Sequence, residues 1–359
     1  MAISHDPPTA PPQGEAKAPV QEQAWGRAQA AWSAGAALPW LHREVAQRMA
    51  DRLSVIRSEP PVLLEWHALA GQSRSVLQAA YPQAQWVAVE RGPGALRRLQ
   101  DTGSFCEPRE PQAAPTPPTA PTAGVMQRLG AWARGLFEPK PPNLPSPRTR
   151  TKPSAAASVH PPSVRPTRFL EGQVPPAHGQ LLWSNMGLHT HSQPLSLLRQ
   201  WHAALAVDGF LMFSTFGPDT LRELSTVWKE AGWGPAAQPF RDMHDWGDDL
   251  VVAGFADPVM DQEVITLTWA DAESALAELR TMGRNAHPTR QAGCRTPRWR
   301  AQMKAALQAL AGPDGRIPLT FEIIYGHAFR PPARLRVEPV VAVELDEMRR
   351  MVQTARRPV

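Results

Sequence analysis

Glu65 closes the apolar run Val62-Leu63-Leu64, and Gly71 follows it six residues later. A carboxylate at a strand end, then a tight turn into a helix, is the frame that holds nucleotide-type cofactors. Backbone N–H groups at the helix start face the ligand, and glycine lets the chain approach it closely. Here the turn interior is Trp66, His67, Ala68, Leu69 and Ala70. Glu90 ends a second apolar run, "AQWVAVE", 19 residues after Gly71. A carboxylate there can accept hydrogen bonds from both hydroxyls of a ribose. His189-Thr190-His191 offers two imidazoles. No Cys or Asp completes a ligand set near them in sequence, so no metal is expected.

These groups need a βα scaffold, and the hydrophobic pattern supplies one. "PVLLEW" reads as a buried strand, "SRSVLQAAY" as a helix and "AQWVAVE" as a second strand, all within about 30 residues, which predicts a βαβ unit with parallel pairing. Before it, Leu41, Val45, Met49, Leu53 and Ile56 fall on one face of a helix over 38–58. After a long interruption the pattern resumes with "QLLWSN", the helix "PLSLLRQWHAALA" and the strand "DGFLMFSTF". Thr220 and Glu223 have the spacing of a capping box. Helices over "DMHDWGDDLVVAGF", "DAESALAELRTMG" and "PRWRAQMKAALQAL" follow, with strands "EVITLTW" and "PLTFEIIYGHAFR". Alternating strands and helices on both sides of one interruption predict a single doubly wound α/β domain with a mostly parallel sheet. The expected organisation is a disordered leader over 1–22, the first part of the domain over 23–106, an unstructured insertion over 107–178, the remainder over 179–330 and a tail over 331–359.

The insertion explains the composition. It holds 17 of the 40 prolines and nine Lys/Arg against four Asp/Glu, an excess equal to the whole chain's +5. The rest of the chain is formally neutral, so the basic charge marks a segment and not a folded face. Its basic stretches, "PSPRTRTKPS" and "SVRPTRF", lack interleaved aromatics and any nucleic-acid module, which argues against nucleic-acid binding. Within it, Val125, Leu129, Trp132 and Leu136 share one helical face over 124–140: a transient linker helix, or a docking helix for a partner. Cys106 and Cys294 fit no disulfide framework or zinc spacing, and no run is long enough to span a membrane, so a cytoplasmic location is expected.

Glu65-x-His67-x-Leu69-x-Gly71 resembles the E/D-x-G-x-G-x-G loop of class I S-adenosylmethionine-dependent methyltransferases. More narrowly, "WGRAQAAW", "LLWSNMGLHTHSQPLSLLRQWHAAL", "DGFLMFSTFGPDTLREL", "ALAELRTMGRNAH" and "GRIPLTFEIIYGHAF" resemble the malonyl-acyl carrier protein O-methyltransferases of biotin synthesis. The resemblance implies a Rossmann-like sheet of seven strands. It also implies methyl transfer from S-adenosylmethionine to a malonyl thioester on acyl carrier protein or coenzyme A. It assigns Glu65, Gly71, Glu90, Glu171 and Asn185 to the cofactor, and Arg27, Trp32 and Arg284 to the acceptor side. His67, Leu69 and Trp32 stand where the family usually has glycine, glycine and tyrosine. An inactive fold that keeps only a partner surface is therefore the alternative expectation.

Overall fold

The computed structural model describes residues 18–101, 167–291, 293 and 295–333. The two apolar runs become β1, Val62–Trp66, and β2, Gln85–Glu90. They join β3 (Thr167–Leu170), β4 (Gly179–Ser184), β5 (Leu205–Phe216), β6 (Ala256–Trp269) and β7 (Ile317–Phe329) in one seven-stranded sheet. The order is β3-β2-β1-β4-β5-β7-β6. The first five strands are parallel to their neighbours, and β7 runs antiparallel between β5 and β6. Strand order reverses between β1 and β4. In open α/β sheets a crevice opens at such a switch point, outside the carboxyl ends of the strands.

Period-two alternation divides the core between the two faces. Leu63 of β1 packs with Leu41, Val45 and Met49 from α2 (Trp40–Asp51) and Trp25 and Trp32 from α1 (Ala18–Ser33). Its neighbours Leu64 and Trp66 point the other way. There they meet Leu197, Leu198 and Trp201 of a helix over Pro194–Ala204 and Trp246 and Leu250 of another over Met243–Ala253. In chain order, α3 is Ala68–Gly71, α4 Arg74–Ala80 and α5 Pro93–Asp101. Then α6 is Pro194–Ala204, α7 Arg222–Glu230, α8 Met243–Ala253, α9 Ala272–Thr281 and α10 Pro297–Gln308.

The structure departs from the sequence expectations at four places. Residues 167–178, placed in the insertion, carry β3 and the turn after it, and β3 pairs with β2 from Val87↔Thr167 to Glu90↔Leu170. Residues 18–22, placed in the leader, belong to α1. The helix expected over 38–58 ends at Asp51 and tightens into a 3₁₀ turn over Arg52–Val55. Thr220 and Glu223 form no capping box, because Leu221 adopts a left-handed φ of 59° and the helix starts only at Arg222. Glu223 instead accepts the Thr320 N–H at 3.0 Å, and Thr220 Oγ donates to Glu322 O at 3.1 Å, so both residues fasten α7 to β7. The rest of the insertion, including the 124–140 helix, and both cysteines lie outside the described residues.

Candidate cofactor crevice

The β1 turn is braced from within. Glu65 is buried, its Oε1 accepting the Ser73 N–H at 3.0 Å and its Oε2 the Trp86 indole N–H at 2.7 Å. Burial pushes its carboxyl up to about 7, with Trp86 and Ser73 pulling the other way. Asn185, just past β4, donates through Nδ2 to Gly71 O at 2.7 Å and His42 O at 2.6 Å, and its Oδ1 accepts from Ser214 Oγ at 2.7 Å. His42 closes the circuit by donating from Nδ1 to Ala70 O at 2.9 Å. A Cβ on Gly71 would stand 3.4 Å from Asn185 O and 3.5 Å from Asn185 Cβ, so the turn and the β4 end touch closely. Glu65, Gly71 and Asn185, expected as cofactor residues, thus hold the shape of the loop.

The replaced glycines leave different marks. His67 keeps a left-handed φ of 59°, the conformation a glycine would take without cost and a side chain takes at about 1–2 kcal/mol. Leu69 packs into the core, and its N–H donates to Glu90 Oε1 at 2.6 Å. Neither side chain lines the cavity of about 710 Å³ beside Glu90, whose walls include Gly26, Ala30 and Ser33 of α1 and Gly92 and Gly94 after β2. That volume falls within the roughly 300–1,000 Å³ usual for small-molecule sites. Burial pushes Glu90 up to about 8; the Leu69 N–H opposes this and the nearby Glu65 adds to it. A buried carboxyl on the wall of a cavity that small residues line together with Gln29, Arg97, Arg98 and Asp101 fits the ribose end of an adenosyl ligand.

On the acceptor side, α1 closes over the segment after α9. Trp32 donates to Thr281 O at 3.0 Å and is buried, so it anchors α1 rather than presenting a polar group. Trp25 lies on Gly283, where a Cβ would meet its ring at 2.5 Å. Arg27 and Arg284 sit on these two apposed segments, are exposed, and form no ion pair with another described residue.

Glu171, expected at the adenine, meets two residues no sequence argument joined to it. It follows β3, as His67 follows β1, and the parallel register brings both to one end of the sheet. Its Oε1 lies 3.2 Å from His67 Nε2 and 3.3 Å from His191 Nε2, and the two imidazole nitrogens are 3.3 Å apart. Trp66 donates its indole N–H to the same Oε1 at 2.6 Å, and Arg91 lies 3.5 Å from Oε2. Burial acts to raise Glu171, but the contacts with His191 and His67 outweigh it and hold the carboxyl well below the usual carboxylate range. Burial pushes His191 down to about 4 and lowers His67 as well. At neutral pH an ionised carboxylate therefore faces two neutral imidazoles. His189, two residues from His191, points elsewhere, its ring meeting Trp25 and Phe240 edge-on and Phe216 at a tilt. Trp66 and His67 were placed in the cofactor turn but not beside Glu171, and Arg91 and His42 were not expected at the site. Their only sequence signal is position at or next to the ends of β1 and β2 and in the preceding helix.

A sheet of this order, with an acid at the end of β2 bordering a cavity between α1 and α5, defines a class I methyltransferase fold. No protein-family model matches the chain. Individual relatives do: a malonyl-[acyl-carrier protein] O-methyltransferase from Laribacter hongkongensis is 35% identical over 299 residues, 82% of this chain and 84% of that one. Proteins of the same name from Halorhodospira halophila and Gallionella capsiferriformans are each 31% identical, over 80% and 88% of this chain and 81% and 92% of their own. The chain belongs to the malonyl-[acyl-carrier protein] O-methyltransferase family.

Proposed function

We propose that this protein transfers a methyl group from S-adenosylmethionine to the free carboxylate of a malonyl thioester carried on acyl carrier protein, a step of biotin synthesis. The observation that carries the reading, within the family, is Glu90 on the cavity wall with Oε1 already held by the Leu69 N–H. S-adenosylmethionine, when bound, supplies an electrophilic methyl on a sulfonium. A malonyl carboxylate is ionised at neutral pH, so no side chain has to remove a proton from it. What remains for the protein is alignment and exclusion of water. Glu90 orients the ribose. Arg27 and Arg284 meet the incoming carboxylate, a role that suits a guanidinium because it pairs with both oxygens at once. Trp32 and Trp25 fix the helix that carries Arg27 against the segment that carries Arg284.

The alternative of an inactive fold rested on His67, Leu69 and Trp32, and none of these side chains lines the cavity, so nothing in the crevice favours it. No helix among the described residues is long and apolar enough to cross a membrane. We place the protein in the cytoplasm, where a carrier protein would meet it. Incubation with methyl-labelled S-adenosylmethionine and malonyl-acyl carrier protein should put label on the carrier-bound malonyl group, and faster than on malonyl-coenzyme A. Label on neither acceptor, from a protein that binds the methyl donor, would overturn the acceptor assignment.

A further inference from the structure

We propose that His67, Glu171 and His191 form a binding site for one late first-row divalent cation, zinc above all. The triangle of His67 Nε2, His191 Nε2 and Glu171 Oε1 has edges of 3.2, 3.3 and 3.3 Å. An ion bonded at about 2.05 Å to imidazole nitrogen and carboxylate oxygen sets tetrahedral ligand edges of about 3.3 Å, against about 2.9 Å for neighbouring octahedral positions. The rings agree independently. Two imidazoles sharing one tetrahedral ion should have centroids about 5.2 Å apart, and those of His67 and His191 are 5.1 Å apart.

Hydrogen bonding alone accounts poorly for this triangle. The Arg91 Nε–H points at His191 Nε2 at 3.1 Å, which makes that nitrogen an acceptor, so a single proton on His67 Nε2 is all that neutral rings can offer to the triangle and the His191–Glu171 edge has none. His67 is buried, and its Nδ1 has no hydrogen-bond partner, so nothing on the far side of the ring dictates where Nε2 points. That ring is admitted because position 187 is glycine: a Cβ there would stand 2.4 Å from His67 Nδ1. The chain also accepts a left-handed histidine at φ 59° to place it, and strain of this kind gathers at functional sites. Support around the ligands is present. The Trp66 N–H at 2.6 Å orients the Glu171 oxygen, in the way hydrogen-bonded carboxylates serve metal centres. Arg91, displaced from His191 by the ion, keeps Thr190 O at 3.3 Å and Glu171 Oε2 at 3.5 Å. Two histidines and one glutamate leave a fourth coordination position open, a donor set that suits zinc. The ion would tie together the segments after β1, β3 and β4.

The test uses the full chain, stripped with a chelator and titrated with Zn²⁺ by calorimetry, with Co²⁺ absorption as a geometric reporter. One ion per chain is expected, with a tetrahedral Co²⁺ spectrum. Thermal unfolding should rise by about 5 °C or more when the ion is a hundredfold above its Kd. His67→Gly removes a ligand at a position whose backbone already suits glycine, so it should fold at least as stably as the stripped wild type. It should lose the ion-dependent rise, with Kd weakened by about a hundredfold or more, as should Glu171→Gln. Replacing Cys106 and Cys294 with serine should leave binding intact. Absence of stoichiometric binding, equal binding by His67→Gly, or loss of binding only in the cysteine variant would each overturn the site. Methyl transfer assayed in chelator is judged separately, because the proposed function does not depend on the ion.

Discussion

Glu90 is a carboxyl kept out of water on the wall of a site that should need it charged, and this makes its titration measurable in two ways. Burial moves it from 4.5 to about 8, a change that corresponds to about 5 kcal/mol of folding free energy as an upper figure. The sign is that of a raised group. The native state binds the proton more tightly than the unfolded chain, so the contribution is fully present below about pH 4.5 and is lost as pH rises through about 8. Glu65, pushed up to about 7, acts in the same direction. Glu90→Gln keeps an acceptor for the Leu69 N–H and removes the titration. At pH 5 the variant and the wild type should melt within a degree or two of each other. By pH 8.5 the variant should melt at least about 5 °C higher. Ligand binding should run the other way: a ribose held by the carboxylate favours its ionised form. Wild-type affinity for S-adenosylmethionine should therefore gain on that of Glu90→Gln from pH 6 to pH 8, reaching about tenfold or more. A melting difference independent of pH, or equal ligand affinity at pH 8, would refute the reasoning about this carboxyl.

Three further outcomes are expected. Asn185→Ala strands Gly71 O and His42 O and should cost about 2–4 kcal/mol in denaturant unfolding, with S-adenosylmethionine affinity falling because the loop loosens. Replacing 107–165 with a Gly/Ser linker should preserve a single cooperative melt, whereas extending the replacement to 178 deletes β3 and Glu171 and should abolish it. Arg27→Ala and Arg284→Ala, both at exposed positions, should leave the melting temperature within about 2 °C while raising KM for malonyl-acyl carrier protein about tenfold.

The scaffold was legible wherever periodicity ran long enough. β1, α4 and β2 could be read from a buried run, a helical face and a second buried run, and Glu90 from its place at the end of the last. β3 escaped because "TRFL" is only four residues long, includes a charged Arg168, and follows a proline-rich stretch; its evidence is the pairing with β2. Asn185 was recognised, but its work as a strut depends on His42 and Ser214, 143 and 29 residues away. The same limit hid the His67–Glu171–His191 triangle. Seen along the chain, His191 has no carboxylate partner nearby; parallel strands bring Glu171 and His67 to it from 20 and 124 residues upstream. Leu221 marks a further limit, since a left-handed leucine broke a capping box whose two residues were otherwise well spaced.

The most direct check is a calorimetric titration of the purified full-length protein with S-adenosylmethionine at pH 8. With Glu90 on the wall of an open cavity, and with His67 and Leu69 outside its lining, one molecule should bind per chain with saturable heat, and Glu90→Gln should weaken it by about tenfold or more. A folded wild-type protein that shows no binding at millimolar ligand would contradict the methyltransferase reading.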